Sequence, residues 1–351
     1  MSLYQAAQRL IGLEAGGDDF PFFQEAARSH FALSLLPVWP EGLSDLDEWD
    51  RNHLFLLELN GQFEGEFTLE EGASQAQFTP AKDLPKALLD MRGDGPWLLY
   101  ALGEPKQGQK LLRAFLSCPL LYPCHLNHGF LSLQAHQLGK LEEFHFHREL
   151  PPQFPEEGQI LKGQSKGDQA ERFLEVLEKE QSDLLNLVEV AGLSSSGGLG
   201  KLRFQERGLL QGEGLRLKEF LDQATAMQEF HRERLSHRMS RLCRWEKTPK
   251  GLQCEGGPIE YHLSRALARP ENILRPLTNG SNPLHLLGSF QRLGRDQWLA
   301  QFVDLKNAWQ MEMELTPQVL RLFPSDSGGL ALIEKLEAYF AKLMIGWRLH
   351  V

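Results

Sequence analysis

Two stretches of the chain alternate apolar and polar positions with a period of two. In 54–69, LFLLELNGQFEGEFTL, the odd positions hold Leu57, Leu59, Phe63, Gly65, Phe67 and Leu69. This spacing predicts half-buried strands, with Asn60–Gly61 as a favoured hairpin turn. A helix is expected after Pro80, over DLPKALLDM. The second stretch, FVDLKNAWQMEMEL, repeats the odd-position pattern through Val303, Leu305, Trp309, Met311, Met313 and Leu315. A shift of 246 residues lays the first series onto the second in order. After it come a strand, LRLF, and an amphipathic helix, GGLALIEKLEAYFAKLM, with Leu332, Leu336, Phe340 and Leu343 on one face.

Looser copies of the same grammar occur twice more. Residues 201–225 read as a strand KLRFQ, a Gly-rich turn, a strand GLRLKEF and a helix. Residues 130–147 read as a strand, a turn and a second strand. The expected fold is α+β, built from antiparallel β-meander or hairpin plus helix units and forming two related halves. The segment 151–169, PPQFPEEGQILKGQSKGDQ, lacks core-forming residues and reads as a linker. It would separate an N-terminal α+β domain, 1–150, from a C-terminal one, 170–351, that carries the hairpin-helix repeat. A second flexible connection is expected at 267–283.

Composition narrows the function classes. The chain has 351 residues, 42% hydrophobic and 24% charged, with a net charge of −10, as expected of a globular protein with a real core. The acidic balance counts against nucleic acid and anionic membrane as partners. No apolar run approaches the length of a membrane span. Four cysteines are too few for a disulfide scaffold, and a reducing cytoplasm is the expected location.

Four features could carry chemistry. The loop VAGLSSSGGLGKLRF, 190–204, has the Gly-Lys of a phosphate loop. Its first glycine is replaced by Ser195, its hydroxyl position by Leu202, and a strand replaces the required helix. It reads as a connection between two strands, with Lys201 and Arg203 on one face. The segment around SCPLLYPCHLNHGF offers Cys124, His125 and His128, with His145 and His147 further on; thiolates and imidazoles suit Zn²⁺. His145 and His147 share a strand face opposite Phe144 and Phe146. On the helix FHRERLSHRMSRLCRW, His231, Arg234, Arg238 and Arg241 form a basic ridge against an apolar face of Leu235, Met239 and Leu242. Arginine forks bind carboxylates bidentately, so this ridge suits an acidic protein segment. No nucleophile elbow or zinc-protease motif is present.

These features point to a soluble cytoplasmic protein-interaction module (an adaptor, chaperone-like or assembly factor) without catalysis of its own and without a cofactor. The alternative is a metal-dependent hydrolase using the Cys/His cluster of 118–147.

Overall fold

A computed structural model describes residues 2–10, 29–39, 46–70, 73–81, 83–93, 95–149, 160–181, 185–195, 200–248, 251–263, 266–267, 270–278, 284–343 and 347–349. The chain divides into two compact units, Met1–Phe146 with Gly163–Val176 and Leu187–Arg232, and His147–Lys162 with Leu177–Asn186 and Glu233–Val351. The fold is α+β, and every strand pair with a described register is antiparallel.

The first part of the chain forms α1 (Leu3–Leu10), β1 (Ser29–Pro37), α2 (Glu48–Asn60), β2 (Gly65–Leu69), β3 (Gln75–Pro80), β4 (Ala87–Asp90) and β5 (Trp97–Gly103). Next come α3 (Pro105–Ser117), β6 (Leu121–Pro123), α4 (His128–Gln137), β7 (Lys140–Glu149), β8 (Ile160–Lys166) and α5 (Ala170–Gln181). They are followed by β9 (Leu185–Leu193), β10 (Lys201–Gln205), β11 (Leu209–Glu213) and α6 (Leu217–Met239). The strands join one sheet in the order β2-β3-β4-β5-β1-β11-β10-β9-β7-β8, with β6 pairing β1.

The centre of this sheet is apolar on both faces. β1, SHFALSLLP, is buried at every position, and β5 at all but Leu102. Phe31, Leu33, Leu35, Trp97 and Leu99 meet Phe55, Leu56 and Leu59 of α2 and Leu111, Leu112 and Phe115 of α3 on one face. Gly108 lets α3 sit close to β1, because a Cβ there would stand 2.1 Å from the Phe31 ring. On the other face the His30 ring stacks on Phe220 of α6 at 5.0 Å, and Tyr100 packs against the same ring. Truncating one such core ring would cost about 3–5 kcal/mol.

Four local expectations change, one of them the strand GLRLKEF, whose residues from Leu217 on open α6 while Leu209–Glu213 forms the strand. Residues 48–60 are helical, so Leu57 and Leu59 do not lie on a strand. Asp47 caps that helix, accepting from the backbone N–H groups of Trp49 and Asp50, and Glu48 and Asp50 favour its positive end. Residues 128–137 are also helical, capped by Asn127, which accepts from Phe130 N–H at 2.9 Å. The helix expected over DLPKALLDM is instead the strand β4, buried at all four positions. A short run buried on both faces carries no period from which to tell helix from strand. Of the expected linker, 151–159 lie outside the described residues, and Ile160–Lys166 forms β8.

The remaining elements are β12 (Arg244–Thr248), β13 (Gly251–Glu255), β14 (Ile259–Leu263), α7 (Glu271–Thr278), β15 (Leu286–Gly294), β16 (Gln297–Asp304), β17 (Gln310–Leu315), β18 (Val319–Phe323), α8 (Ser327–Leu343) and β19 (Trp347–Leu349). β12 and β13 form a separate hairpin, and the others order as β15-β16-β17-β18-β14-β19. The predicted alternation holds over β17, where Met311, Met313 and Leu315 are buried while Glu312 is exposed. It is reversed in β16, where Phe302 and Asp304 are buried and the expected inward residue Val303, like Leu305 beyond it, is exposed. Leu332, Leu336 and Phe340 of α8 are buried on one face, as expected. Within the stretch read as flexible, 267–283, α7 forms because Leu274 and Leu277 have a core to enter. The 246-residue shift pairs β2 with part of β17, but it lays α2 onto β16.

Candidate functional site

The proposed metal ligands do not converge. Cys124 and His125 are buried between strands and hold main-chain contacts: Cys124 N–H donates to the Ser34 carbonyl at 3.0 Å. His128 starts α4, and its Nδ1 accepts from Leu187 N–H at 3.3 Å. His145 and His147 lie on β7 opposite the buried Phe144 and Phe146, as the alternation predicts. Among the described residues, the group whose ligand atoms fall within 4.8 Å of one another is Glu143, His145 and Glu189.

That group sits in a larger ion network on the polar face of β7, β9 and β10. Glu143 receives Lys166 Nζ at 2.7 Å, His145 Nε2 at 2.8 Å and Arg203 Nη2 at 3.3 Å. Arg203 also pairs with Glu189, and Lys201 with Glu142 at 2.7 Å. Partial burial opposes ionisation of Glu143. The hydrogen bonds from Lys166 and His145 and the charges of Arg203 and Lys166 prevail, holding its carboxyl down to about 2. Three carboxylates, Glu142, Glu143 and Glu189, thus face three cations, Lys166, Lys201 and Arg203. A divalent ion at Glu143 and Glu189 would compete with a guanidinium already in place.

The basic ridge turns inward. His231 is buried in the first unit; its Nε2 donates to the His125 carbonyl at 3.2 Å, and its Nδ1 accepts from the Ser34 hydroxyl at 2.8 Å. Within the second unit, Arg238 is 1% exposed and pairs with Glu334 and Glu337. Arg234 binds the other oxygen of Glu337 at 2.5 Å, and the Tyr261 hydroxyl donates to Glu337 at 2.7 Å. The helical spacing 234/238 meets the spacing 334/337 on α8, so two arginines and two glutamates neutralise one another. The carboxylates that the ridge suits are the chain's own, and they occupy Arg234 and Arg238. Burial of His231 and Arg238 keeps an external acidic segment from reaching either. Arg241 remains exposed.

β15 is an edge of its sheet, with β16 on one side and no strand on the other among the described residues. Leu305 N–H donates to the His285 carbonyl at 2.9 Å. By alternation, the main-chain groups of Leu287, Ser289 and Gln291 point toward β16. Those of Gly288, Phe290 and Arg292 point off the edge. Leu287 is 49% exposed and Leu293 53%, while Val303, the register partner of Leu287, and nearby Leu305 are exposed too. Arg292 and Arg295 are exposed at the end of the strand.

A family match runs over residues 87–329, from the start of β4 into α8, more than half of the chain. The chain belongs to the MJECL33-like protein family. No curated protein matches it. The region shared with the MJECL33-like family includes the ion network, the inward arginines and β15. Among the described residues, no helix is long and apolar enough to cross a membrane.

Sequence reasoning missed the β15 edge, although its signal is present in LLGSFQRLGRDQWLAQFVD. Two apolar-rich segments flank a Gly-Arg-Asp turn there, and Leu287 and Leu293 stand on the polar side of the alternation. It also missed Glu189, which lies among Leu185, Leu187 and Ala191 on a strand buried at nearly every position and so shows no polar face, while Glu143 lies far away in sequence.

Proposed function

We propose that this protein is an interaction module (an adaptor, chaperone-like or assembly factor) that takes up an extended segment of a partner protein as an added strand on β15. The observation that carries the reading is the sheet edge at β15, where the main-chain groups of Gly288, Phe290 and Arg292 turn outward beside exposed Leu287, Leu293, Val303 and Leu305. Soluble proteins usually blunt such edges with charge, proline or cover. β15 has a bulge between Arg292 and Gly294, which leaves Leu286–Arg292 regular. Main-chain hydrogen bonds give strand addition its affinity, and alternate side chains give it specificity. The segment that fits has apolar side chains at alternate positions, against Leu287 and Val303, and an acidic residue near Arg292 and Arg295.

A photoreactive residue at Leu287, with a matched control at exposed Leu54 on α2, tests the reading. The expected result is one protein cross-linked only from Leu287, with slowed amide exchange at Gly288 and Phe290 in the complex. Leu293→Lys should weaken capture at least tenfold. Equal yields from both positions, or unchanged exchange at Gly288 and Phe290, would overturn strand addition.

A further inference from the structure

The β15 edge matches itself about a twofold axis. Gly288, Phe290 and Arg292 turn their main-chain groups off the edge, while Leu287, Ser289, Gln291 and Leu293 are exposed on one face of the strand. Antiparallel strands exchange both main-chain hydrogen bonds at alternate residue pairs. With the axis at Phe290, this residue meets Phe290 of a second copy. Gly288 meets Arg292 of the second copy, and Arg292 meets its Gly288. Each outward position then has a main-chain partner of the right kind.

The same register accounts for the exposed leucines. Leu287 comes to face Leu293 of the second copy, on both sides of the axis, and Ser289 faces Gln291. A slip of two residues sets Leu287 against Gln291 in one direction and against Arg295, past the strand, in the other. Only the register centred on Phe290 covers both leucines with each other. Charge favours it as well. Arg292 lies opposite an uncharged glycine, and the two Arg292 side chains start four residues apart along the pair, about 13 Å. That exceeds the screening length of about 8 Å in physiological salt. The guanidinium is also held within its own chain: Nε donates to the Gly294 carbonyl at 2.8 Å, and the group lies 5.4 Å over the Trp298 ring.

We infer that, without a partner segment, β15 is covered by β15 of a second copy, in an antiparallel twofold dimer that joins two six-stranded sheets edge to edge. The inference rests on reading β15 as an accessible edge and names a further occupant for it, the chain itself. A patch that pairs with itself about a twofold axis closes, so nothing larger grows from it. Closure is what an apolar edge requires, since an uncovered one recruits further strands. Two nine-residue strands bury less than about 1,200 Å², the low end of specific interfaces. The dimer is therefore weak, and it yields to a partner segment that adds contacts of its own.

Sedimentation equilibrium of the purified full chain is the test. Its mass should rise from one chain toward two over roughly 1–100 µM, with nothing larger. Leu293→Lys, at an exposed position, should leave Tm unchanged and weaken the dimer at least tenfold. Mixing Ser289→Cys with Gln291→Cys under mild oxidation should give a disulfide-linked dimer. The facing Cα atoms of such a pair lie about 4.5 Å apart, within the reach of a disulfide. Either cysteine variant alone should give none. A single-chain mass throughout that range, larger assemblies, a dimer indifferent to Leu293→Lys, or equal cross-linking from one cysteine variant alone would overturn self-pairing. Each of these results leaves strand addition standing, because that reading is tested by a cross-link from Leu287 to a different protein, whereas a self cross-link has twice the mass of the chain.

Discussion

Two ion clusters in this protein use the same chemistry in different surroundings. On the sheet face, Arg203 joins Glu143 and Glu189 with its side chain 37% exposed. In the second unit, Arg238 joins Glu334 and Glu337 with its side chain 1% exposed. Water shares the load in the first cluster, and its members are replaceable. In the second, burial opposes the charge on Arg238, while the charges of Glu337 and Glu334 hold it well above its ordinary value. Burial, together with the Glu337 charge, likewise pushes the Tyr261 hydroxyl well above its ordinary value. Pairing a buried charge adds little over an apolar core, but removing one partner strands the other.

That contrast orders the expected effects. Arg238→Met should be the largest, a loss of about 3–5 kcal/mol in urea unfolding, because two buried carboxylates lose their partner. A loss below about 1 kcal/mol would place the buried cluster in the same class as the surface one.

Acid should act next, on the surface cluster. The folded pKa of Glu143 is lowered from 4.5 to about 2, so its contribution is present above pH 4.5 and is lost as pH falls toward 2. Glu143→Gln should flatten the stability profile across that window by about 1–2 kcal/mol, after allowance for screening. Parallel profiles for wild type and variant would show that the network does not hold the Glu143 proton off.

Arg203→Met should cost about 1 kcal/mol or less, measured by the same unfolding curves. Lys201→Ala removes a side chain that is 55% exposed and should change stability by no more than about 0.5 kcal/mol. Smallest of all should be the response to Zn²⁺. One equivalent should leave Tm unchanged in wild type, because Arg203 occupies Glu143 and Glu189. A rise in Tm with Zn²⁺ would mean that the guanidinium yields to the metal.

Much of the local structure was legible. The outward positions of Lys201, Arg203, His145 and His147 followed from period-two alternation, and α8 followed from its apolar stripe. α2 was not read because LFLLEL fits both periods, although Asp47 and the acidic first turn mark a helix start. β4 was not read because a strand buried on both faces shows no alternation. The ridge of Arg234 and Arg238 was recognised as carboxylate-binding, but its carboxylates, Glu334 and Glu337, lie about a hundred residues away.

By itself the sequence determined the α+β class, the acidic charge and the residue types able to pair with carboxylates, because these depend on composition and near-neighbour periodicity. The tertiary structure decided which carboxylates they meet and which strand lies at an edge. Each of these depends on contacts between distant segments. Burial, set only when the segments pack, decides whether the same guanidinium is an exchangeable surface charge or an indispensable one.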